Sequence, residues 1–201
     1  MPSPEPIPDE GGDWMRRLPC AVFYVKTDQP QSLMHLESQS TYGRVLNPYN
    51  TNLTPGGSSG GESALVAMKG SCMGLGADGG GSIRCPAAHC GIYGIRPSCR
   101  TTPSCGSLWY QNGSDGTLAS TGPMCRSARD MRLFLDAVLG SNPANRDPDA
   151  LPIPLRMPDL AQKKLRVGIM MHDGVVMPHP PTRLRWLTTP HMTTTADTAS
   201  S

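Results

Sequence analysis

Short apolar runs along the chain, each of six residues, predict strands. The run at 20–25 and the run at 72–77 are each expected to form a buried strand. A third run, at 165–170, predicts another strand further along the chain. The chain is therefore expected to contain a small number of short strands separated by other elements.

Helices are predicted where a capping signal stands in front of apolar residues. A helix is expected over 59–70, since Ser59 and Glu62 have the spacing of a capping box and a glycine closes the run. A helix over 127–140 opens with the same spacing of serine and acid and also ends at glycine. A third helix is expected to begin at 81–82. Strands and helices together predict an α/β fold.

Polar segments rich in glycine, proline and serine separate these elements. The segments 38–54 and 99–123 are predicted to be loops. Residues 1–19, rich in proline, glycine and acidic side chains, are predicted to be disordered. The Thr- and Ser-rich tail 186–201 shows no periodicity and is also predicted to be disordered. One folded domain is therefore expected, over 20–185.

Composition narrows the function classes. The 201 residues carry a formal net charge of +2, with no basic run interleaved with aromatics, which argues against nucleic acid as a partner. No stretch of about 18 apolar residues predicts a membrane span. Seven cysteines without a leader-like N-terminus favour a reduced, cytoplasmic location. Cys85 and Cys90 are candidate metal ligands, but we expect them to be small buried thiols.

Two glycine-rich segments carry the candidate chemistry, and each contains serine. They are called here the first glycine segment (54–62) and the second glycine segment (76–87). Glycine lets a backbone N–H approach a ligand without an intervening Cβ, and successive N–H groups form an anion-binding nest. Ser82 follows three glycines and precedes a predicted helix start. A serine in that position can attack a carbonyl while neighbouring N–H groups hold the oxyanion.

The two segments resemble those of a known enzyme family. The residues at 56–62 are Gly-Gly-Ser-Ser-Gly-Gly-Glu, and those at 80–84 are Gly-Gly-Ser-Ile-Arg. Both are similar to the motifs of the amidase signature family of Ser–cisSer–Lys hydrolases, and the flanks at 24–33 and 43–50 most resemble fungal acetamidases. The resemblance implies a partial α/β fold with a mixed sheet flanked by helices. Family members are several hundred residues long, so the chain resembles about a third of one.

The resemblance also implies a reaction and a set of residues. Ser82 matches the nucleophile that forms the acyl ester. The family's spacing selects Ser58, rather than Ser59, as the serine that follows a cis peptide bond and relays the proton. The expected reaction is hydrolysis of a small-molecule, linear carboxylic amide to an acid and ammonia or an amine, without metal or cofactor. The expected substrate-binding residues are Leu33, Ser58, Gly79, Gly80, Gly81 and Ser82.

The family's catalytic lysine has no counterpart that we can identify. In the family it lies far upstream of the first motif, in a strand followed by aspartate. Lys26 is the one lysine before Ser58, and it matches a separate, non-catalytic lysine of the family. We therefore predict that the base is missing from this chain and that the chain alone is at best weakly active, because serine without a base is a poor nucleophile.

Three residues near the motifs have weaker assignments. Asp78 is expected to accept hydrogen bonds that pin the second glycine segment. Arg84 is expected to be structural. His89 stands where the family commonly has an apolar aromatic; a catalytic role is one reading, but a packed core histidine is the expectation.

Rival interpretations remain. Residues 57–61 match the Gly-x-Ser-x-Gly pattern of α/β-hydrolases, but that elbow needs a preceding strand and 52–55 is a poor one. Residues 69–71 have the wrong order for a phosphate-binding P-loop. A catalytically inactive fragment that acts as a binding protein stays open as the alternative to an amidase.

Overall fold

The computed structural model describes residues 21–31, 34–107, 116–156, 173–175, 177 and 179–180. The chain divides into two compact units, 1–155 and 156–201, and the helices and strands given below all lie in the first. Several predictions fall outside the described residues: the strand at 165–170, the disordered segments 1–19 and 186–201, and Leu33.

Two small antiparallel sheets form the strand content. β1 (Gln39–Ser40) pairs with β2 (Gly43–Arg44) in a short hairpin. The second sheet has three strands, with β5 (Ser120–Cys125) between β3 (Met73–Asp78) and β4 (Tyr93–Gly94). Both pairings of β5 are antiparallel. The predicted strand at 72–77 is confirmed as β3, one residue displaced.

The central strand β5 overturns part of a predicted loop. Residues 99–123 were expected to be loop because they hold many glycines, serines and threonines, yet 120–123 belong to β5. Pro123 has no N–H to donate to a ladder. Its partner across the ladder, Leu75, gives its own N–H to Glu62 Oε1 at 3.0 Å, and the Pro123 carbonyl accepts from Ile95 N–H at 3.3 Å. In the sequence this proline argues against a strand, but the sheet accommodates it.

The three predicted helices are all present. They are α1 (Gly60–Ala67), α2 (Arg84–His89) and α3 (Ala128–Gly140), and a 3-10 turn (Pro143–Asn145) follows the last. α1 and α2 each begin within a glycine segment, after its serines. The helices thus place the serines of both segments at their N-terminal sides.

The predicted capping boxes have different outcomes. In α3 the Ser127 hydroxyl accepts the Asp130 N–H at 3.2 Å, as expected. In α1 the Ser59 side chain makes no capping hydrogen bond, so that prediction is wrong. Ser59 has φ −89° and ψ 43°, whereas a capping residue typically has extended backbone angles. Glu62 has other partners: Thr27 Oγ1 donates to Glu62 Oε2 at 2.5 Å, and Leu75 N–H donates to Glu62 Oε1. The acid therefore ties α1 to β3 and to residue 27.

The cap of α3 gives a prediction about stability. Replacing Ser127 by alanine removes the acceptor for the Asp130 N–H, and we expect the free energy of unfolding to fall by about 1 kcal/mol. Urea unfolding followed by circular dichroism measures this. Ser127→Asp restores an acceptor and should retain the original stability. An alanine variant as stable as the parent would contradict the role of the cap.

The predicted strand at 20–25 is wrong for the part that is described. Residues 21–25 adopt no regular structure, and Val22 and Tyr24 are 82% and 64% exposed. A strand needs a partner, and among the described residues none pairs with this segment. The Tyr24 hydroxyl instead donates to the Gly70 carbonyl at 2.7 Å. The apolar run therefore lies along the surface.

The core under the site centres on Ile83. This side chain is fully buried with Met124 and Ala87. Two glycines make room for it: a Cβ added to Gly76 would lie 2.9 Å from Ile83 Cγ1, and one added to Gly94 would lie 2.9 Å from Ile83 Cγ2. Real Cβ atoms do not approach so closely. Because Ile83 follows Ser82 directly, its burial in the sheet fixes where Ser82 can be.

Candidate active site

The structure brings the two glycine segments together. The Ser59 N–H donates to the Ser82 carbonyl at 3.2 Å, so the loops that carry both predicted serines are joined by a backbone hydrogen bond. Ser58 and Ser82 are 1% and 8% exposed. The peptide bond between Gly57 and Ser58 is cis, as the resemblance implies. Within the described residues no hydrogen bond links the two hydroxyls, and the roles of both serines stay predictions.

Asp78 anchors the second glycine segment from the end of β3. Its side chain is fully buried, and Oδ1 accepts the Gly81 N–H at 2.7 Å. Oδ2 accepts the N–H groups of Ile83 and Arg84 at 3.1 and 3.3 Å. The Arg84 guanidinium binds both oxygens, each at 2.9 Å. The predicted pinning role of Asp78 is therefore confirmed, and the half-exposed Arg84 serves it, as expected of a structural residue.

The electrostatics of Asp78 follow from these contacts. Burial alone raises the pKa of the carboxyl group, but the hydrogen bonds from the Arg84 side chain and the three backbone N–H groups outweigh it. The pKa of Asp78 accordingly lies well below its usual range. The same ion pair raises the pKa of Arg84. The carboxylate therefore stays charged at all ordinary pH values and holds the segment in place.

The backbone donors of the second glycine segment are not equivalent. The Gly81 N–H is occupied by Asp78, so it is not free for an oxyanion. Among the described residues, no hydrogen bond uses the N–H groups of Gly79, Gly80 or Ser82. Gly81 has a φ of +129°, a conformation that L side chains rarely adopt, which accounts for glycine there. Three of the four expected donors therefore remain available.

His89 is not a packed core histidine, so that expectation is wrong. The residue is exposed at the end of α2, since the inward face of this short helix is taken by Pro86 and Ala87. Its Nε2 lies 4.0 Å from the half-exposed Cys85 Sγ. Cys90 is fully buried, as predicted, and burial raises the pKa of its thiol. The prediction of a buried thiol is wrong for Cys85, which is half-exposed.

Two residues near the site were missed by the sequence analysis. Arg96 donates from Nε to the Asp78 carbonyl at 2.8 Å and from Nη2 to the Leu118 carbonyl at 2.9 Å. Ser38 is fully buried and contacts the first glycine segment. Neither belongs to a periodic pattern, and a single arginine or serine gives no signal in the sequence that distinguishes it from a surface residue.

Three other arrangements are absent from the described part of the chain. No group of three or more His, Cys, Asp or Glu side chains there is arranged to hold a metal ion. No helix there has the length and apolar character that crossing a bilayer requires. No strand leads into Ser59 either, because β2 ends at Arg44 and the next regular element is α1 itself. Ser59 therefore does not occupy an α/β-hydrolase elbow.

Comparison with known proteins decides the family. The family model described as Amidase matches residues 17–192, which is most of the chain. The chain belongs to the amidase family. Among curated amidases, the acetamidase of Aspergillus oryzae is 45% identical over 169 residues, covering 80% of this chain and 31% of that protein. Fatty-acid amide hydrolase 1 of Sus scrofa is 39% identical, covering 86% of this chain and 30% of that protein.

Solved amidase structures confirm the fold. A fatty acid amide hydrolase superposes with a TM-score of 0.80 at 39% identity, covering 90% of this chain and 32% of that one. A 6-aminohexanoate cyclic dimer hydrolase gives a TM-score of 0.65 at 31% identity, covering 81% of this chain and 35% of that one. The predicted partial α/β amidase fold is therefore correct. The chain spans about a third of the length of the relatives and structures it matches.

Proposed function

We propose that the site performs amide hydrolysis with Ser82 as the nucleophile and Ser58 as its proton relay. The observation that carries this proposal is that the backbone on both sides of Ser82 is held in place. Asp78 holds the backbone on both sides of Ser82, and Ile83 anchors the next residue in the core. The backbone hydrogen bond from Ser59 then sets the first glycine segment, with Ser58, against it.

The proposed reaction has two stages. A general base takes the Ser58 hydroxyl proton as Ser58 takes the Ser82 proton, and Ser82 Oγ attacks the amide carbonyl. The N–H groups of Gly79, Gly80 and Ser82 hold the oxyanion. Loss of one such donor typically reduces kcat by about 10²–10³-fold. The proton returns through Ser58 to the leaving amine, and an acyl ester remains on Ser82. Water then cleaves the ester and releases the carboxylic acid.

The mechanism needs a general base, and no residue of this chain is assigned to that role. Lys26 is exposed and, among the described residues, forms no hydrogen bond to Ser58. We propose that Lys26 does not serve as the base and that the chain by itself supplies none. Without a base the Ser82 hydroxyl is a weak nucleophile, so weak activity is expected from these 201 residues alone.

The substrate is proposed to be a carboxylic amide of a small molecule, with no metal or cofactor required. The names of the relatives include an acetamidase and a fatty-acid amide hydrolase, which differ in the size of the acyl group. The proposal therefore covers amides of both short and long acyl groups. Leu33 stays a predicted pocket residue, and the cytoplasmic location and the absence of nucleic acid partners stay predictions too.

A serine-directed probe tests the proposal. The 201-residue chain is treated with a fluorophosphonate, and the modified residue is mapped by mass spectrometry. Slow labelling of Ser82 is expected, with complete loss in Ser82→Ala, strong reduction in Ser58→Ala, and no loss in Ser59→Ala or Lys26→Ala. Label on Ser59 would support the α/β-hydrolase interpretation instead. Loss of label in Lys26→Ala would show that Lys26 is the base after all.

One alternative is favoured by the exposed Lys26: a protein that binds an amide without cleaving it. The same experiment decides between the two. Absence of label, in protein shown by circular dichroism to be folded, would refute the hydrolase proposal. The question would then move to binding, and isothermal titration calorimetry with an acetamide series would measure it.

A further inference from the structure

Ser38 stands just ahead of β1 and contacts the first glycine segment around Ser58. Its side chain is fully buried. The Ser38 hydroxyl oxygen lies 3.1 Å from the Gly56 carbonyl oxygen and 3.2 Å from the Ser58 carbonyl oxygen. The same oxygen accepts the Gly60 N–H at 2.9 Å. One hydroxyl therefore contacts the backbone before, at and after the residue proposed to relay the proton.

The hydrogen-bonding capacity of a hydroxyl makes this arrangement specific. Serine has one proton to donate and two lone pairs. The Gly60 N–H takes one lone pair, and the proton is shared between the carbonyls of Gly56 and Ser58. Alanine or valine at position 38 has neither a donor nor an acceptor for these groups, and the thiol of cysteine is weak in both roles. The buried Gly60 N–H would then lose its partner at the point where α1 begins.

The backbone around Ser38 reinforces the contact. A Cβ added to Gly57 would lie 2.6 Å from the His35 carbonyl oxygen and 2.7 Å from the Glu37 nitrogen. A Cβ added to Gly60 would collide with the Ser38 side chain itself. Two glycines of the first glycine segment are thus required so that residues 35–38 can press against it. The segment is held from outside by this strip of chain.

We propose that Ser38 is a positioning residue that sets the orientation of Ser58 for the proton relay. The proposal rests on the proposed function, since Ser58 matters only if Ser82 is acylated. Ser38 lies on one side of the first glycine segment, and Ser59, through its bond to the Ser82 carbonyl, ties the other side to the nucleophile. Removing the Ser38 hydroxyl frees the Ser58 backbone while Ser82, Asp78 and the oxyanion donors keep their contacts.

Ser63, in α1 directly after the first glycine segment, offers a matched control. It too is a fully buried serine, and its hydroxyl donates to the Gly60 carbonyl at 2.9 Å and lies 3.5 Å from the Pro55 carbonyl oxygen. It has no hydrogen bond to Gly56 or Ser58 within the described residues. Ser63→Ala therefore removes a comparable buried hydroxyl without releasing the backbone at Ser58.

The test measures saturation kinetics of Ser82 labelling by a fluorophosphonate in the full chain. Ser38→Ala is expected to lower the maximal labelling rate by about 10²-fold, the size typical of a small misplacement, with little change in the half-saturating probe concentration. Ser63→Ala should label at the parental rate. In a Ser58→Ala background the further substitution Ser38→Ala should have no additional effect, because Ser38 acts through Ser58.

Each other outcome counts against the proposal. Equal slowing by Ser38→Ala with and without Ser58 would show a merely structural role, and slowing no greater than that of Ser63→Ala would overturn the proposal while leaving the hydrolase function standing. If the parent chain takes no label at all, the proposed function fails separately. Hydrogen exchange of residues 55–62 then decides the positioning claim: faster exchange in Ser38→Ala than in Ser63→Ala supports it, and equal exchange overturns it.

Discussion

Replacing Asp78 by asparagine is expected to lower the free energy of unfolding by about 3 kcal/mol and to slow Ser82 labelling strongly. The carboxylate accepts hydrogen bonds from three backbone N–H groups and from Nε and Nη2 of Arg84. An asparagine amide retains one acceptor oxygen and turns its NH2 group toward donors. Buried N–H groups around Ser82 would be left without partners. Urea unfolding gives the stability, and fluorophosphonate labelling per folded molecule gives the effect on the site.

Asp147 supplies the control for Asp78. This carboxylate is also buried, and it accepts the N–H groups of Ser104 and Cys105 at 2.7 and 3.0 Å and that of Asp149 at 3.0 Å. Asp147→Asn should cost stability but leave Ser82 labelling per folded molecule unchanged. Equal slowing of labelling by both substitutions would mean that general loosening, rather than the anchor of the second glycine segment, controls Ser82.

The depressed pKa of Asp78 adds a pH dependence with a definite sign. An unfolded aspartate takes up a proton near its ordinary pKa of about 3.9, whereas the folded carboxylate resists protonation to a much lower pH. The contribution of Asp78 is therefore complete above about pH 5 and is lost as the pH falls below that value. Asp78→Asn lacks this term, so its stability should decrease less than that of the parent between pH 5 and 3.

Replacing Gly122 by valine is expected to have a second large effect, a loss of about 3 kcal/mol of stability. Gly122 lies in the middle of β5, where a Cβ would collide with the Ile95 carbonyl oxygen and lie 2.7 Å from Pro97 Cδ. Neither atom belongs to a flexible side-chain end, so the backbone after β4 must move away. Thermal and urea unfolding of the variant measure the loss.

A second glycine gives the opposite expectation and serves as the control. Gly140 is the last residue of α3, and a Cβ there meets nothing within 4 Å. Gly140→Ala should therefore raise stability slightly, by about 0.5–1 kcal/mol, because glycine is a poor helix residue. If Gly122→Val proves as harmless as Gly140→Ala, the close approach of β5 to residues 95–97 is not a constraint on the fold.

The parts of the molecule that sequence alone could predict are those built from contiguous residues. The two glycine segments, the helix starts within them and the cap at Ser127 each depend on neighbours within a few positions, and the structure contains all of them. The cis peptide before Ser58 and the anchoring by Asp78 followed from the resemblance and from turn chemistry. Local signals of this kind need no knowledge of what packs where.

Three of the failures involve partners distant in the chain. The glycine and proline of 120–123 predict a loop, but contacts with β3 and with residues 95–97 accommodate both of them in a strand. Glu62 was expected to cap its own helix, but Thr27 and Leu75 bind it instead. The apolar residues at 21–25 predict a strand, but no described strand pairs with them. Composition alone does not reveal whether a pairing partner is present.

The backbone hydrogen bond between Ser59 and Ser82 has a consequence for protein engineering. Neither glycine segment holds its conformation alone, because a hydrogen bond joins the two segments. Ser38 also holds the first segment, and Asp78 holds the second. A designer who transplants 76–87 into a foreign scaffold would transfer the nucleophile without the surface that orients it. A portable module therefore has to contain both segments, the strip 35–38 and the sheet β3–β5–β4 in which Ile83 is buried.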